Sequence, residues 1–377
     1  MDFTLNMEQQ LLQDSVRRFV ERASTPGKPA ALAAAGGGQA GLWHELAGNG
    51  WLGVSIPEHD GGFGGSAIEM SLVAHELGRG LITAPYLGCG VLGAQTLLAC
   101  AASAARDGLL PSLIDGSRRL SLAYGDVQSC GMLAPAVMRA ERSSGGYVLD
   151  GVKTLVLGAP EADFHLVSAA VCGLPEGGGT TLFLVSAQAA GLTCAPLPLH
   201  DGRWAAELTF DQVVVPESMV LTEPGEGMPP LVHGMVHGIA ASCAELVGAM
   251  ERAIEITAEY LRVRKQFGVA IASFQSLQHR MADMVAEMEL SRSMLHALLA
   301  AMRGGDTARA RLLASQAKAL VARAARQVCG QAIQLHGGIG MTTEYAVGNY
   351  YRRAVVGDAL LGSADRHEAF CADALQL

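Results

Sequence analysis

The chain has 377 residues and a formal net charge of −9. This acidic balance argues against a nucleic-acid-binding surface, and no uninterrupted apolar run reaches the roughly 18 residues that a membrane-spanning helix needs. The eight cysteines contain no CxxC pair, so the sequence predicts neither a disulfide framework nor a thiolate metal site. Asp2 and Glu8 stand where a signal peptide would be cationic, and we therefore expect a cytoplasmic protein with no membrane contact.

The spacing of apolar residues changes twice along the chain and predicts three domains. Residues 1–118 have the pattern of helices broken by Gly-rich loops, with helical runs at Ile68 to Leu77 and Leu92 to Ala105. Residues 119–222 have the shorter period of strands, and Asp150-Gly151 predicts a two-residue hairpin between two of them. The predicted strands are Leu120 to Tyr124, Met132 to Arg139, Tyr147 to Leu149, Val152 to Leu157, His165 to Val171, Thr181 to Val185 and Ala206 to Val215.

Residues 223–377 predict a helix bundle. Asp306 is placed to cap a long helix from Ala308 to Gln334. Small residues, including Ala240, Ala241, Ala244 and an Ala-rich face from 314 to 325, predict close packing, part of it between subunits. One stripe with helical spacing is expected to be buried, and it consists of Leu277, Met281, Met284, Val285, Met288, Ser291, Leu295 and Leu298.

Arg264 and Lys265 lie where a predicted helix ends, with Gly268 as its expected C-terminal stop. A guanidinium held there can bind a diphosphate through two hydrogen bonds, although both cations could instead simply favour the C-terminal end of the helix dipole. Phe267 adds a flat apolar surface, and the amides of Gln266 and Gln275 suit ribityl hydroxyls or an adenine edge.

A second segment strengthens the dinucleotide interpretation. Gly337 and Gly338 have no side chain to block a close approach of the backbone to a ligand. Gln334 lies one helical turn before them. Two such segments in this order are far more specific than either segment alone.

These segments resemble the acyl-CoA dehydrogenase family, and the resemblance extends over nearly the whole chain. The opening run from Glu8 to Phe19 is similar to the first helix of the family, and Pro57 to Gly65 is similar to its Gly-rich loop. More narrowly, Gln334 to Thr342 with Glu344, followed by Tyr350 to Arg353, resembles the small subunits of heteromeric members such as pimeloyl-CoA dehydrogenase and the steroid side-chain acyl-CoA dehydrogenases.

The resemblance implies an α+β fold of the acyl-CoA dehydrogenase type, with an N-terminal helical domain, a middle β-barrel or sandwich domain and a C-terminal four-helix bundle. It also implies FAD as cofactor, an acyl-CoA thioester as substrate, α,β-desaturation as the reaction and an electron-transfer flavoprotein as electron acceptor. The bundle residues that it assigns to FAD, across a subunit boundary, are Arg264, Gln266, Phe267, Phe274, Gln275, Gln334, Gly337 and Gly338.

The chain departs from the family where the reaction needs a base. Removal of the α-proton requires a carboxylate, but the usual position near the C-terminus is occupied by Leu361. Other members place the Glu on the helix before the Arg-Lys-Gln-Phe-Gly segment, and counting back from Tyr260 to that position reaches Gly238. Asp365, one turn past Leu361, is the nearest alternative, although we favour its interpretation as a cap or a surface charge. Asp358 and Glu245 are poorer candidates.

The predicted β domain departs from the family as well. Relatives carry a Thr-Glu-Pro segment followed by Gly-Ser-Asp, and a Trp-Ile-Thr segment, as polar contacts to the flavin ring. This chain has Ala123 to Ser129 at the first position and Leu155-Val156-Leu157 at the second. Donors that would face the flavin are thereby exchanged for aliphatic surface.

Three hypotheses follow. The leading one is the small, base-lacking subunit of a heterotetramer, which completes the flavin site of a homologous catalytic partner. The second is a self-sufficient homotetramer with Asp365 as an unusual base, and the third is a flavin-free scaffold subunit.

Two weaker motifs are expected to carry no site. His233 and His237 share the i, i+4 spacing of zinc ligands but lack an intervening Glu and an evident third ligand, so we predict no metal. The Gly-rich run from Gly36 to Gly41 follows no apolar strand, so we interpret it as a connector and not as a nucleotide-binding loop.

Overall fold

The computed structural model describes residues 4–23, 38–173, 179–342 and 345–376. Contacts divide the chain into two compact units. The first, here called the helical unit, consists of Met1–Ala34, Ala67–Thr83 and Ile239–Leu377. The second, the sheet unit, consists of Ala35–Ser66 and Ala84–Gly238.

The helical unit contains seven of the α-helices in the described part of the chain and one small hairpin. Two helices come from its N-terminal segments, and the others, with two short strands, follow in the C-terminal segment. They are α1 (Met7–Ala23), α3 (Ala67–Arg79), most of α6 (Met228–Val263), β8 (Lys265–Gln266), β9 (Val269–Ala270), α7 (Gln275–Arg303), α8 (Thr307–His336), α9 (Val347–Ala359) and α10 (Ala364–Leu375). Asp306 caps α8 by accepting a hydrogen bond from the backbone N–H of Arg309 at 3.0 Å, as predicted.

Helix α6 is the one helix in the described part of the chain that is long and apolar enough to cross a membrane, with a mean hydropathy of 1.3 in its most apolar window. That window is 89% buried inside the protein. Length and hydropathy here are those of a core helix.

A charged network joins α1, α3, α6 and α7 within the helical unit. His75 lies between two carboxylates, with Nδ1 3.2 Å from Glu76 and Nε2 2.9 Å from Glu251. Arg17 donates to Glu76 at 2.7 Å, and Arg79 lies 3.2 Å from Glu251. Because these partners favour the ionised form more than burial opposes it, the pKa values of Glu76 and Glu251 fall from 4.5 to about 2.

The sheet unit combines one large sheet with short helices. Its helical elements are α2 (Gly38–Gly48), a π-helical turn (Tyr86–Gly93), α4 (Ala94–Leu98), α5 (Ala104–Ile114) and the first turns of α6. Its strands are β1 (Leu120–Ala123), β2 (Arg139–Ser143), β3 (Gly146–Leu157), β4 (Phe164–Val171), β5 (Thr180–Ser186), β6 (Leu192–Pro198) and β7 (Trp204–Pro216).

The seven strands form one sheet in the order β1-β4-β2-β3-β7-β6, with β5 also paired to β4. Strands β1 and β2 run parallel to β4, and the other pairings are antiparallel. Its buried core includes Tyr147 and Phe183, whose rings meet edge to face with centroids 5.3 Å apart. Helical N- and C-terminal regions therefore flank a middle β-sheet domain, which confirms the predicted α+β class.

Several predicted strands and turns were wrong. Met132 to Met138 is irregular, and the strand begins only at Arg139. Asp150-Gly151 is no hairpin, because β3 continues through it and absorbs the positive φ of Gly151 as a bulge against β7. The turn lies instead at residues 144–145, where Gly145 has a φ of 96°. The exposed edge strand β6 was missed.

Three helical predictions also need correction. The predicted helix from Leu92 to Ala105 is interrupted after Leu98, and Ser103 caps a new helix. Val285 in the predicted buried stripe is 40% exposed. The small residues expected between subunits are already buried within the chain: Ala240, Ala241, Ala244, Ala314, Ala317, Ala322 and Ala325. Gly36, Gly37 and Glu344 lie outside the described residues.

Candidate functional site

The predicted diphosphate-binding segment forms a small hairpin that projects from the end of α6. Helix α6 ends at Val263, and β8 pairs with β9 through Gln266 and Val269. Phe267 and Gly268 form the two-residue turn with φ values of 54° and 84°. Positive φ at both positions is the signature of a type I′ hairpin turn. Gly268 therefore closes this hairpin, and the prediction that it stops the helix was wrong.

The side chains of the hairpin face outward. Arg264, Lys265 and Gln266 are exposed, and Phe267 is 91% exposed. The Arg264 guanidinium has no hydrogen-bond or ion-pair partner anywhere in the described part of the chain. An uncommitted guanidinium beside an exposed aromatic ring can take an anionic, planar ligand from outside the chain.

Aromatic contacts join this hairpin to the second predicted segment. The ring of Tyr260, in the last turn of α6, stacks on His336 at the end of α8 with centroids 4.5 Å apart. Tyr345 packs on the same His336 ring at 4.9 Å. On the other side, Phe267 contacts Phe274 at 6.2 Å, directly before α7 begins at Gln275. The hairpin, the start of α7 and the end of α8 therefore meet at one end of the helical unit.

The glycines after α8 leave an open surface. A methyl group added at Gly337 or Gly338 would meet no other atom within 4 Å. Gly337 has φ 65° and ψ −143°, a conformation that is almost restricted to glycine. Gln334, one turn earlier, is exposed. The eight residues that the sequence assigns to FAD thus lie together, seven of them exposed and Phe274 half-buried.

The loop at the usual base position is tightly held but carries no acid. Leu361 lies between α9 and α10, is 3% exposed and has a φ of 59°. Its carbonyl accepts a hydrogen bond from His367 Nε2 at 2.8 Å. Buried Lys318 donates to the carbonyls of Asp358 at 3.0 Å and Gly362 at 2.9 Å, and burial lowers the pKa of this lysine to about 8. The loop keeps a defined shape, although leucine cannot accept a proton.

The alternative carboxylates are committed elsewhere. Asp365 is in the first turn of α10, with its side chain 86% exposed and 2.7 Å from Arg323. Asp358 accepts hydrogen bonds from the Ala364 N–H and from Arg326. Glu245 is buried, 3.7 Å from Arg353. Asp365 thus has the surroundings of a surface charge, and Gly238 is a buried position within α6.

The sheet unit uses the polar groups in and next to its two unusual segments, residues 123–129 and 155–157, for its own hydrogen bonds. Lys153 is fully buried, and its Nζ donates to Asp126 at 2.8 Å, to Ser168 at 3.1 Å and to the Tyr124 carbonyl at 3.3 Å. The second Asp126 oxygen accepts from the Val137 N–H at 2.9 Å. Burial lowers the pKa of Lys153, whereas the Asp126 charge opposes that shift.

The aliphatic segment next to Lys153 is also closed. Leu155 has a φ of 53° at an irregularity of β3, and Val156 and Leu157 are buried. Thr154 donates its backbone N–H to the Gly125 carbonyl at 2.8 Å, which joins the two segments directly. The polar groups here are used within the sheet unit and are not free to bind a flavin ring. In the helical unit, by contrast, Arg264 is free to bind a diphosphate.

Sequence reasoning missed both buried lysines. Lys318 lies within an Ala-rich stretch, where an isolated cation on an apolar helix face was the available signal. Lys153 alternates with apolar residues along its strand, which places it on the inner face of the sheet. Its partner Asp126, 27 residues earlier, carried no such signal.

Comparison with known proteins agrees with this architecture. Sequence profiles of the acyl-CoA dehydrogenase N-terminal, middle and C-terminal domains match residues 6–117, 129–213 and 225–376. The probable acyl-CoA dehydrogenase YngJ of Bacillus subtilis is 28% identical over 361 residues, which cover 94% of each chain.

Two solved structures are also similar over nearly the whole length. A variant of the Tcur3481-Tcur3483 steroid ACAD is 29% identical and has a TM-score of 0.88, covering 99% of each chain. The ChsE4-ChsE5 complex from Mycobacterium tuberculosis has a TM-score of 0.88 and 27% identity, covering 100% of this chain and 99% of that one. With three domain profiles matched in order, this chain belongs to the acyl-CoA dehydrogenase family, whose members bind FAD and are oxidoreductases acting on CH-CH groups.

Proposed function

We propose that this chain is the small subunit of a heteromeric, FAD-dependent acyl-CoA dehydrogenase and completes the flavin site of a homologous catalytic subunit. The projecting hairpin carries this proposal. Arg264 and Phe267 lie at its surface, and the guanidinium has no partner in the described part of the chain. Side chains held outward in this way suit a ligand that belongs largely to another subunit.

The sheet unit supports the same division of labour. Lys153 and Asp126 satisfy each other where relatives offer polar groups to the flavin ring. A flavin that needed those groups would have to break a buried ion pair, which is costly. The chain is therefore equipped to bind the diphosphate and adenine of FAD and poorly equipped to surround its flavin ring.

The chain also lacks the expected proton acceptor. FAD, when bound, supplies the hydride acceptor for oxidation of a CH-CH group. The accompanying α-proton needs a base, and Leu361 and Gly238 occupy the two positions where the family places one. The residues of this chain therefore bind and orient FAD, and the proton is removed in the partner subunit.

The partners follow from this assignment. The substrate is an acyl-CoA thioester, the assembly is a heterotetramer with a homologous catalytic subunit, and the electrons leave to an electron-transfer flavoprotein in the cytoplasm. Heteromeric organisation is supported by the similarity to ChsE4-ChsE5, whose solved structure is a complex.

Flavin stoichiometry tests the proposal. The chain is purified alone and after co-expression with a homologous catalytic subunit, and FAD per chain is measured by absorbance together with turnover of an acyl-CoA thioester. We expect little flavin and no turnover from the chain alone, and both from the complex. One tightly bound FAD per chain in the isolated protein, with turnover that Asp365→Asn abolishes, would establish the self-sufficient enzyme instead. The scaffold hypothesis would be favoured by a complex that turns over normally but has FAD bound only to its catalytic subunits. Those subunits would then use their own Arg-Lys-Gln-Phe-Gly hairpin.

A further inference from the structure

One buried hydrogen-bond acceptor at the candidate site has no partner. His336, the last residue of α8, is 3% exposed, and its Nδ1 lies 2.7 Å from the Ala332 carbonyl. The other ring nitrogen, Nε2, is buried and makes no hydrogen bond in the described part of the chain. Buried polar atoms are nearly always paired, so an unpaired one at a candidate binding site needs an explanation.

The contact at Nδ1 determines what the ring offers at Nε2. Burial lowers the pKa of His336, and the hydrogen bond to Ala332 opposes this shift only in part, so the ring is neutral near pH 7. A neutral imidazole that faces a carbonyl with Nδ1 carries its proton there and keeps a lone pair on Nε2. Nε2 is therefore an acceptor, and the partner that suits it is an N–H or O–H donor.

Two tyrosine rings cover this acceptor without satisfying it. The His336 ring lies 4.5 Å from that of Tyr260 and 4.9 Å from that of Tyr345, and the two tyrosine rings are 6.1 Å apart. Neither phenol donates to Nε2. Both tyrosines are half-buried, whereas His336 is buried. The acceptor therefore lies only one side chain below the surface.

The same histidine joins the two segments of the candidate site. Gly337 and Gly338 follow it directly, with open space beside their backbone. Tyr260, which stacks on His336, accepts a hydrogen bond at its carbonyl from the Arg264 N–H at 2.9 Å. The acceptor thus adjoins the open glycines on one side and lies one ring and one helical turn from the free guanidinium on the other.

We infer that His336 Nε2 accepts a hydrogen bond from the adenosine half of FAD. The inference rests on the proposed function, in which this chain binds the diphosphate and adenine of the cofactor. Arg264 supplies the cation that a diphosphate needs, and His336 supplies an acceptor for a donor next to it. This half of FAD has two kinds of donor, the adenine amino group and the ribose hydroxyls. Access to Nε2 requires that one of the two tyrosine rings turns aside.

The unpaired nitrogen separates this role from a purely structural one. In the chain without cofactor, a buried acceptor with no partner is destabilising. A phenylalanine at this position would keep an aromatic ring against Tyr260 and Tyr345 and would remove the acceptor. The Ala332 carbonyl would still have its partner within α8, because helical carbonyls accept from the N–H four residues later. Loss of the imidazole should therefore weaken FAD binding without weakening the fold, whereas a structural histidine would show the reverse.

Cofactor exchange in the co-expressed complex tests the inference. The probes are FAD and analogues of it that each lack one donor of the adenosine half. One has purine in place of adenine, and the others have 2′-deoxyribose or 3′-deoxyribose. We expect one analogue to bind about tenfold more weakly than FAD, the effect of one well-placed hydrogen bond. In His336→Phe, FAD itself should bind about tenfold more weakly, and that analogue should bind as FAD does.

Further variants separate the acceptor from the ring. His336→Gln places an amide oxygen near the position of Nε2 and should retain part of the preference for FAD. His336→Asn keeps a donor near the position of Nδ1 but lacks the acceptor, and it serves if the Phe variant does not fold. His200→Phe changes an exposed histidine of the sheet unit and should change nothing. Urea unfolding of the full chain alone should show His336→Phe to be at least as stable as the wild type.

The outcomes distinguish this inference from the proposed function. If every analogue loses the same factor in the wild type and in His336→Phe, the inference is wrong and the proposed function stands. The same conclusion follows if His336→Phe destabilises the chain and leaves FAD binding unchanged. If the complex retains no FAD, both fail.

Discussion

The two units use their polar residues in opposite ways. In the helical unit, Arg264 is left without a partner in the described part of the chain, on a hairpin that faces solvent. In the sheet unit, Lys153 is fully buried and donates three hydrogen bonds to groups of the same unit. The helical unit thus leaves a cation and an apolar ring exposed to solvent, whereas the sheet unit uses its cation for internal hydrogen bonds.

If the function proposed above is right, this difference indicates how polar groups that face a ligand can be lost without loss of the fold. Removing the polar groups that face a ligand would leave buried donors and acceptors unsatisfied. Here Lys153 and Asp126 satisfy each other, so the sheet tolerates an aliphatic surface at Leu155 to Leu157. The comparison predicts large stability effects in the sheet unit and binding effects in the hairpin.

The largest effect is expected from separating the buried pair. Lys153→Met leaves the Asp126 carboxylate buried without its cation, and we expect a loss of about 3–5 kcal/mol in the free energy of unfolding. Adding Asp126→Asn, which can still accept from the Val137 N–H, should restore most of that loss. Urea unfolding at pH 7 measures both. Arg139→Met breaks an exposed pair with Glu141 in the same sheet and should cost at most about 1 kcal/mol. Equal losses in the single and double variants would mean that the pair is not coupled.

The next largest effect is expected from acid, which should lower the stability of the helical unit. Glu76 and Glu251 have pKa values lowered from 4.5 to about 2, so their contribution is present above pH 4.5 and is lost as the pH falls towards 2. Each shift corresponds to about 3 kcal/mol. The pKa of His75 is raised above 6.5 by the same two carboxylates, although burial opposes this, so its contribution is complete below pH 6.5 and is lost at higher pH.

The two units can be followed separately in that titration. All three tryptophans, Trp43, Trp51 and Trp204, lie in the sheet unit, and most of the helix lies in the other. Helical circular dichroism should therefore fall at a higher pH than tryptophan fluorescence changes, and Glu76→Gln should flatten the acid limb of stability. Coincident transitions that the Gln variant leaves unchanged would contradict the role given to this network.

Flavin binding in the assembled complex should depend on the hairpin. Arg264→Ala removes the free guanidinium and is expected to weaken FAD retention by about 2–3 kcal/mol, the value of a charge-assisted hydrogen bond pair. FAD dissociation is measured by recovery of flavin fluorescence on dilution. Arg262→Ala, an exposed arginine two residues earlier, is the matched control and should be neutral. Equal FAD affinities in both variants would remove Arg264 from the site.

The smallest expected effect is a gain in stability. Phe267 has a φ of 54°, which a side chain of this size adopts at a cost, whereas asparagine tolerates it. Phe267→Asn should therefore raise the free energy of unfolding by about 0.5–1 kcal/mol while weakening FAD binding in the complex. Thermal unfolding and flavin titration give the two values. A variant that is both less stable and unaffected in flavin binding would show that the aromatic ring serves the hairpin itself.

The candidate residues of the helical unit could be proposed from the sequence, but the way the fold presents them could not be predicted. Residue types and spacing singled out Arg264, Phe267, Gln334 and Gly337 as candidates, because helix ends and glycines have local signatures. The outward projection depends on the hairpin turn at Phe267-Gly268 and on the stacking of Tyr260 against His336. The contact between Tyr260 and His336 joins residues far apart in sequence and has no local signal.

In the middle region, local turn preference was overridden by pairing. Asp150-Gly151 favours a hairpin in isolation, yet β3 gains more by continuing along β7 and accommodates the extra residue as a bulge. The buried Lys153-Asp126 pair depends on that same strand continuing past residue 151. The wrongly predicted hairpin at Asp150-Gly151 and the missed ion pair thus have one physical origin.

The hairpin has a further consequence for the life of the chain in the cell. Phe267 is 91% exposed, in the turn of a two-stranded element that lacks the three strands needed for independent stability, and Val263, the last residue of α6, is 80% exposed. In the heteromer proposed above, a copy made without its partner would present this apolar tip to chaperones and proteases, and cleavage within residues 263–269 would identify unassembled copies. The proposed assembly would cover the tip, so degradation of unassembled copies would keep the amounts of the two subunits equal.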